Sequence, residues 1–138
     1  MPLGAFVSDK KIMDAFTHNP VLGHINTFGG HPVSCAAGLA AFQILLRENY
    51  ISKVREKENL FRTKLNHAAV KNVSSAGLMM AVEFEDFETN KKIIDRCIEN
   101  GVFTDWFLFA SNALRICPPL NISDEDIMLA CKRITDVL

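Results

Sequence analysis

The stretch that most limits what this chain can become runs from Gly23 to Cys35, GHINTFGGHPVSC, a polar, glycine-rich loop that opens a long helix. Gly29 and Gly30 can take backbone angles closed to other residues, so the chain can turn tightly there or come close to a ligand. Pro32 suits the first helical position, where its missing N–H costs nothing and its fixed φ is already helical. From Val33 to Arg47 no proline interrupts the run, and small residues are dense. A helix starting here aims its first N–H groups back at the loop, at the positive end of its dipole, which makes an anion site. Thr27 adds a hydroxyl donor. The same residues also describe a Gly-Gly-x-Pro turn that does no more than start a helix.

Composition removes several function classes. A chain of 138 residues buries one core, so one compact domain is the default. The formal net charge is −1 with both signs interspersed. No basic stripe is present for nucleic acid, and there is no acidic tail. No apolar run approaches the ~20 residues of a membrane span. No charged segment followed by an apolar one marks a signal peptide near Met1. Cys35, Cys97, Cys117 and Cys131 stand far apart with no Cys-x-x-Cys pair. Buried free thiols in a cytoplasmic protein are therefore expected.

Taken in order, Pro2–Ser8 reads as an apolar strand and Asp9–Phe16 as a short helix capped by Ser8. A buried-type strand opening at residue 2 suggests a chain cut from something longer. The helix after Pro32 has few charges before Arg47, so it reads as mostly buried. Tyr50 to about Val70 reads as a long amphipathic helix with Ile51, Val54, Phe61, Leu65 and Ala68 on one face. Glu58 and Arg62 are a favourable i,i+4 pair on it. Beyond Gly77, Leu78–Phe84 alternates as a strand with Leu78, Met80, Val82 and Phe84 on one side. Thr89 caps a helix with Ile93, Ile94, Cys97 and Ile98 apolar, and Asn100-Gly101 ends it. Val102-Phe103-Thr104 starts a strand, and Ala110-Ser111-Asn112 reads as a hairpin connection between Trp106–Phe109 and Ala113–Cys117. Ser123 opens a last helix with Ile127, Cys131, Ile134 and Leu138 inward. Strands and helices are partly segregated, so the expected fold is α+β, helices covering one face of a mainly antiparallel sheet.

The chemistry-bearing residues are few. His18, His24 and His31 match no common ligand spacing, so no metal site is expected. No Gly-Lys-Ser/Thr follows the glycines, which excludes a nucleotide P-loop. Ser34 lacks a Gly-x-Ser-x-Gly elbow. Asp9 and Asp105 show no partner for acid–base work. Arg115 stands out, flanked by Leu114 and Ile116 in an apolar strand. It reads either as an arginine on the solvent side of a half-buried sheet or as a planar fork for a carboxylate, which arginine suits better than lysine.

Thr27-Phe28-Gly29-Gly30-His31-Pro32, followed by Ala36-Ala37-Gly38-Leu39-Ala40, resembles the loop–helix signature of class III (ornithine/acetylornithine-type) aminotransferases. Met1-Pro2-Leu3-Gly4-Ala5-Phe6 resembles the segment just after that family's Schiff-base lysine. Leu114-Arg115-Ile116-Cys117-Pro118-Pro119-Leu120 resembles the strand carrying its substrate-carboxylate arginine. His31 stands where the family usually has Asn. The resemblance implies the small C-terminal domain of a fold-type I enzyme dependent on pyridoxal 5'-phosphate. Residues 1–28 would be a remnant of the large cofactor-binding domain and the interdomain loop, and residues 29–138 the small domain. It implies amino transfer between an amino acid or amine and a 2-oxo acid in a homodimer, with no nucleic-acid or membrane partner. Thr27 would hold the cofactor phosphate across the dimer interface, and Arg115 would bind a substrate carboxylate. No catalytic residue is expected within the chain: the lysine would precede Met1, and Lys10 and Lys11 follow the motif. The chain alone is then expected to be inactive. The rival expectation is a non-enzymatic α+β interaction or dimerisation module of inherited fold.

Overall fold

The structure is a computed structural model that describes residues 1–21 and 23–138. The described residues form two compact units, Met1–Glu48 and Asn49–Leu138.

The amino-terminal unit contains a short helix α1 (Lys10–Met13), a 3-10 turn (Asp14–Thr17) and the long helix α2 (Pro32–Arg47). Pro32 occupies the first turn of α2, as its fixed φ requires. Pro2–Ser8 is irregular rather than a strand: it joins no ladder, and a strand exists only by pairing. Asp9, not Ser8, precedes α1, and it makes no side-chain cap. The expectation of a mostly buried α2 also fails, since no residue of that helix is buried. Val33, Leu39, Phe42 and Leu46 are each more than half exposed. The physical reason is size: a unit this short cannot enclose a helix that is apolar on several sides. Local packing is limited to contacts such as the Leu3 side chain against Gly38 and the Phe6 and Phe16 rings, 6.2 Å apart.

The carboxy-terminal unit holds the core. Its elements are α3 (Tyr50–Lys64), β1 (Asn72–Ala76), β2 (Met79–Glu83), α4 (Phe87–Glu99), β3 (Asp105–Phe107), β4 (Ala110–Ile116) and α5 (Asp124–Thr135). The sheet is antiparallel throughout, in the order β1-β2-β4-β3. Met80 pairs with Ile116 and Val82 with Leu114, so these four side chains share one face. They pack with Phe61 of α3, Ile93, Ile94 and Cys97 of α4, and Ile127, Cys131 and Ile134 of α5. The three helices therefore cover that face, as the α+β expectation required. Across the sheet on the other face runs the row Ser74, Ala81, Arg115, Asp105.

Several local expectations are corrected. Helix α3 stops at Lys64, well before Val70, because a turn competes with it: Ala69 N–H donates to His67 Nδ1 and Val70 N–H to the His67 carbonyl. Phe61 and Leu65 are buried, whereas Ile51 and Ala68 are exposed. Glu58 and Arg62 meet only through Ser75 of β1. Its hydroxyl donates to Glu58 Oε1 at 2.5 Å and accepts from Arg62 Nη1 at 2.7 Å. The cap of α4 is Asp86, whose carboxylate accepts the Thr89 N–H at 2.8 Å. That bond holds the Asp86 carboxyl below its ordinary range. Ile98, expected with the apolar face of α4, is 46% exposed. Residues 102–104 precede rather than form β3.

The second hairpin turns at Leu108-Phe109, not at Ala110-Ser111-Asn112. Ser111 and Asn112 belong to β4, where the pairing with β3 is irregular; Ser111 is exposed, and it is the backbone carbonyls of the two residues that meet inward partners. The Ser111 carbonyl accepts from the fully buried Asn90 Nδ2 at 2.8 Å, and the Asn112 carbonyl accepts from Phe84 N–H at 3.0 Å. Backbone carbonyls at a stretch that looked like a solvent turn are satisfied by α4 and by the residue after β2, which also accepts from Asn112 Nδ2. Ser123 caps α5 as expected, accepting Asp126 N–H at 3.0 Å.

Candidate functional site

In the amino-terminal unit the loop before α2 folds as successive tight turns. Gly29 N–H donates to the Asn26 carbonyl and His31 N–H to the Phe28 carbonyl. Gly30 takes φ 71°, where a side chain would be strained. His31 occupies the N-cap position without a side-chain cap bond, so the first-turn N–H groups of α2 have no side-chain acceptor. Beside them lies a cavity of ≈540 Å³ lined by Gly29, Gly30, His31 and Ser34 and by the segment 1–4. Thr27 is exposed in the turn just before the glycines. Free N–H groups at the positive end of a 16-residue helix and a glycine open to close approach can receive an anion, while Thr27 is not among the residues that line the cavity.

In the carboxy-terminal unit Arg115 lies on the helix-free face of the sheet. Its neighbours in β4, Leu114 and Ile116, point into the core, and strand alternation sends the arginine outward. The guanidinium is about half exposed. It borders an open cavity of ≈400 Å³ with Met79, Phe103, Thr104, Asp105 and Cys117. Thr104 Oγ1 donates to the Arg115 carbonyl at 2.6 Å, tying the backbone at this point to the segment before β3. Arg115 Nη2 donates to Asp105 Oδ2 at 3.3 Å, and Asp105 Oδ1 accepts the Trp106 N–H at 2.8 Å. Asp105 is thus the residue that sequence reasoning missed. A connection centred on Ser111 puts Phe107 opposite Arg115; the actual turn puts Asp105 there. Thr27 and Arg115 belong to different units.

The four cysteines are free. Only Cys97 and Cys131 are buried, so the expectation of buried thiols holds for two and fails for the exposed Cys35 and Cys117. Burial raises the Cys97 and Cys131 thiols from 9.0 to about 11. Among the described residues, no helix is long and apolar enough to cross a membrane, and no group of three or more His, Cys, Asp or Glu is placed to hold a metal ion.

Solved aminotransferase structures superpose on this chain. A Bacillus anthracis aminotransferase superposes with a TM-score of 0.79 at 26% identity, over 93% of this chain and 33% of its own. The omega transaminase from Pseudomonas jessenii, solved in complex with PMP, gives 0.74 at 25% identity, over 83% of this chain and 28% of its own. The fold is that of fold-type I aminotransferases. The class III aminotransferase family model matches residues 1–138, and the chain belongs to that family. Ornithine aminotransferase from Oceanobacillus iheyensis is 31% identical over 140 residues, covering 99% of this chain and 33% of the relative. The chain therefore spans about a third of the length of that curated relative.

Proposed function

We propose that this chain is the carboxy-terminal part of a pyridoxal-phosphate-dependent aminotransferase that moves an amino group between an amino acid or amine and a 2-oxo acid. The observation that carries the reading is Arg115: a guanidinium held on the open face of the sheet, at a cavity, within a chain matched over its whole length by the class III family. In this reading residues 1–28 belong to the large domain and its connecting loop, and residues 29–138 to the small domain. Pyridoxal phosphate, when bound, supplies the electron sink for the chemistry.

The residues of this chain bind and orient. The first-turn N–H groups of α2 and the Thr27 hydroxyl hold the phosphate, which fixes the cofactor's position. The phosphate so held belongs to a neighbouring subunit, which makes the enzyme a homodimer. Arg115 takes the substrate carboxylate with its planar fork and so sets which end of the substrate reaches the reaction centre. The lysine that carries the cofactor is placed upstream of Met1 in this reading, since Lys10 and Lys11 follow the motif. The isolated chain is accordingly expected to turn nothing over. Free thiols without disulfides support a cytoplasmic setting.

The test is cofactor retention by the complete enzyme. One hydroxyl bond to a charged phosphate contributes about 1.5–3 kcal/mol, so Thr27→Ala is expected to weaken pyridoxal phosphate binding on the order of 10- to 150-fold. Equilibrium dialysis measures it; unchanged affinity removes Thr27 from the site. Turnover by the isolated 138-residue chain would overturn the reading as a whole.

A further inference from the structure

We propose that Asp105 is a specificity-determining positioning residue, whose carboxylate competes with the substrate's for the Arg115 guanidinium. The inference rests on the reading of Arg115 as the carboxylate-binding residue, and it names what else controls that residue.

Asp105 is fixed from two sides. Its Oδ1 accepts the Trp106 N–H at 2.8 Å, so the carboxylate cannot swing freely away from the sheet. Its Oδ2 accepts from Arg115 Nη2 at 3.3 Å, longer than the usual charge-assisted bond of about 2.7–2.9 Å. The contact uses one nitrogen of the fork and leaves other N–H groups for a second carboxylate. Both side chains are nearly half exposed, so the pair does little to hold the fold. Both border the same cavity, walled by the apolar side chains of Met79 and Phe103. A carboxylate entering that cavity meets a guanidinium whose charge is already partly balanced, with a like charge beside it. A substrate without a carboxylate meets a nearly neutral pair and gives up nothing. Asp105 therefore weakens the grip on carboxylated substrates and narrows the margin by which they outcompete simple amines.

The experiment is steady-state kinetics of the complete enzyme with an amino-acid donor and with its decarboxylated amine. Asp105→Asn keeps the shape and an oxygen for the Trp106 N–H but removes the charge. The KM for the amino acid is expected to fall about two- to fivefold, with kcat unchanged and the amine's KM unchanged, the range that exposed charge pairs support. The gain should shrink as salt screens the charges, and Asp105→Glu should restore the original discrimination. A KM for the amino acid that stays the same or rises overturns the proposal, as does an equal shift for both donors. Arg115→Ala run in parallel separates the two readings. If it selectively impairs the amino acid while Asp105→Asn changes nothing, the Asp105 proposal alone is wrong. If it shows no selectivity, the carboxylate role of Arg115 fails and the proposal falls with it.

Discussion

Arg115 and the cysteines show how strongly a side chain's behaviour follows from the face of the element that carries it. Arg115 sits between two buried residues, yet alternation places its charge on the open side, where solvent spares it the cost of burial. Cys97 and Cys131 sit on the inward faces of α4 and α5, and desolvation keeps their thiols protonated beyond the ordinary 9.0, up to about 11. Cys35 and Cys117 are expected to react rapidly with a maleimide at pH 7, and Cys97 and Cys131 only after unfolding. Mass spectrometry of the labelled protein checks this; four equally fast cysteines would contradict the packing of both helices. The same burial sets an alkaline limit. Between pH 9.0 and about 11 the unfolded thiols lose protons that the folded ones keep, so stability falls as pH rises through that window. Asp86 acts in the opposite range: its lowered folded pKa adds stability above the ordinary carboxylate pKa, which is lost as pH falls through the folded value.

At the scale of elements, the two hairpins behave differently because their turns do. Ala76 pairs with Met79, so the first hairpin closes through Gly77 and Leu78, with Gly77 at φ 62°. A Cβ there would also press on the Val54 side chain. Gly77→Ala is expected to cost about 1–3 kcal/mol, read as a lower urea midpoint with an unchanged slope. A neutral substitution would mean that the turn is not held left-handed. That glycine was visible in the sequence, as were the alternation of Leu78–Phe84 and the Ser123 cap, because each is a local signal. The second hairpin was not. Leu108 and Phe109 are apolar and make an improbable turn, while Ser111-Asn112 looks like one. What decides the matter is nonlocal: Asn90 and Phe84 satisfy the backbone carbonyls of Ser111 and Asn112. The misplaced turn also hid the Asp105–Arg115 pair, since register decides which residues face each other. The end of α3 escaped for a similar reason, a His67 turn that helical periodicity does not register. For the candidate site, residue chemistry singled out Thr27 and Arg115 with a functional and a bland reading each, motif resemblance chose between them, and Asp105 was set aside as having no partner although it faces Arg115.

At the scale of the whole molecule, burial is uneven. Among the described residues the core is confined to the carboxy-terminal unit, and α2 keeps Val33, Leu39, Phe42 and Leu46 in contact with water. Apolar surface of that kind drives association. The 138-residue chain is expected to self-associate with rising concentration in sedimentation velocity, and a monodisperse monomer over a wide concentration range would contradict it. The central claim is functional: that Arg115 is the carboxylate grip of an aminotransferase. The most direct test is kcat/KM of the complete enzyme for a carboxylated donor and for its carboxylate-free analogue, before and after Arg115→Ala. Losing charge-assisted bonds of about 1.5–3 kcal/mol lowers kcat/KM on the order of 10- to 150-fold for the carboxylated donor only. Arg115→Lys should recover part of that, since it keeps the charge without the fork. An equal loss for both donors, or a loss of folding without selective kinetics, would contradict the claim.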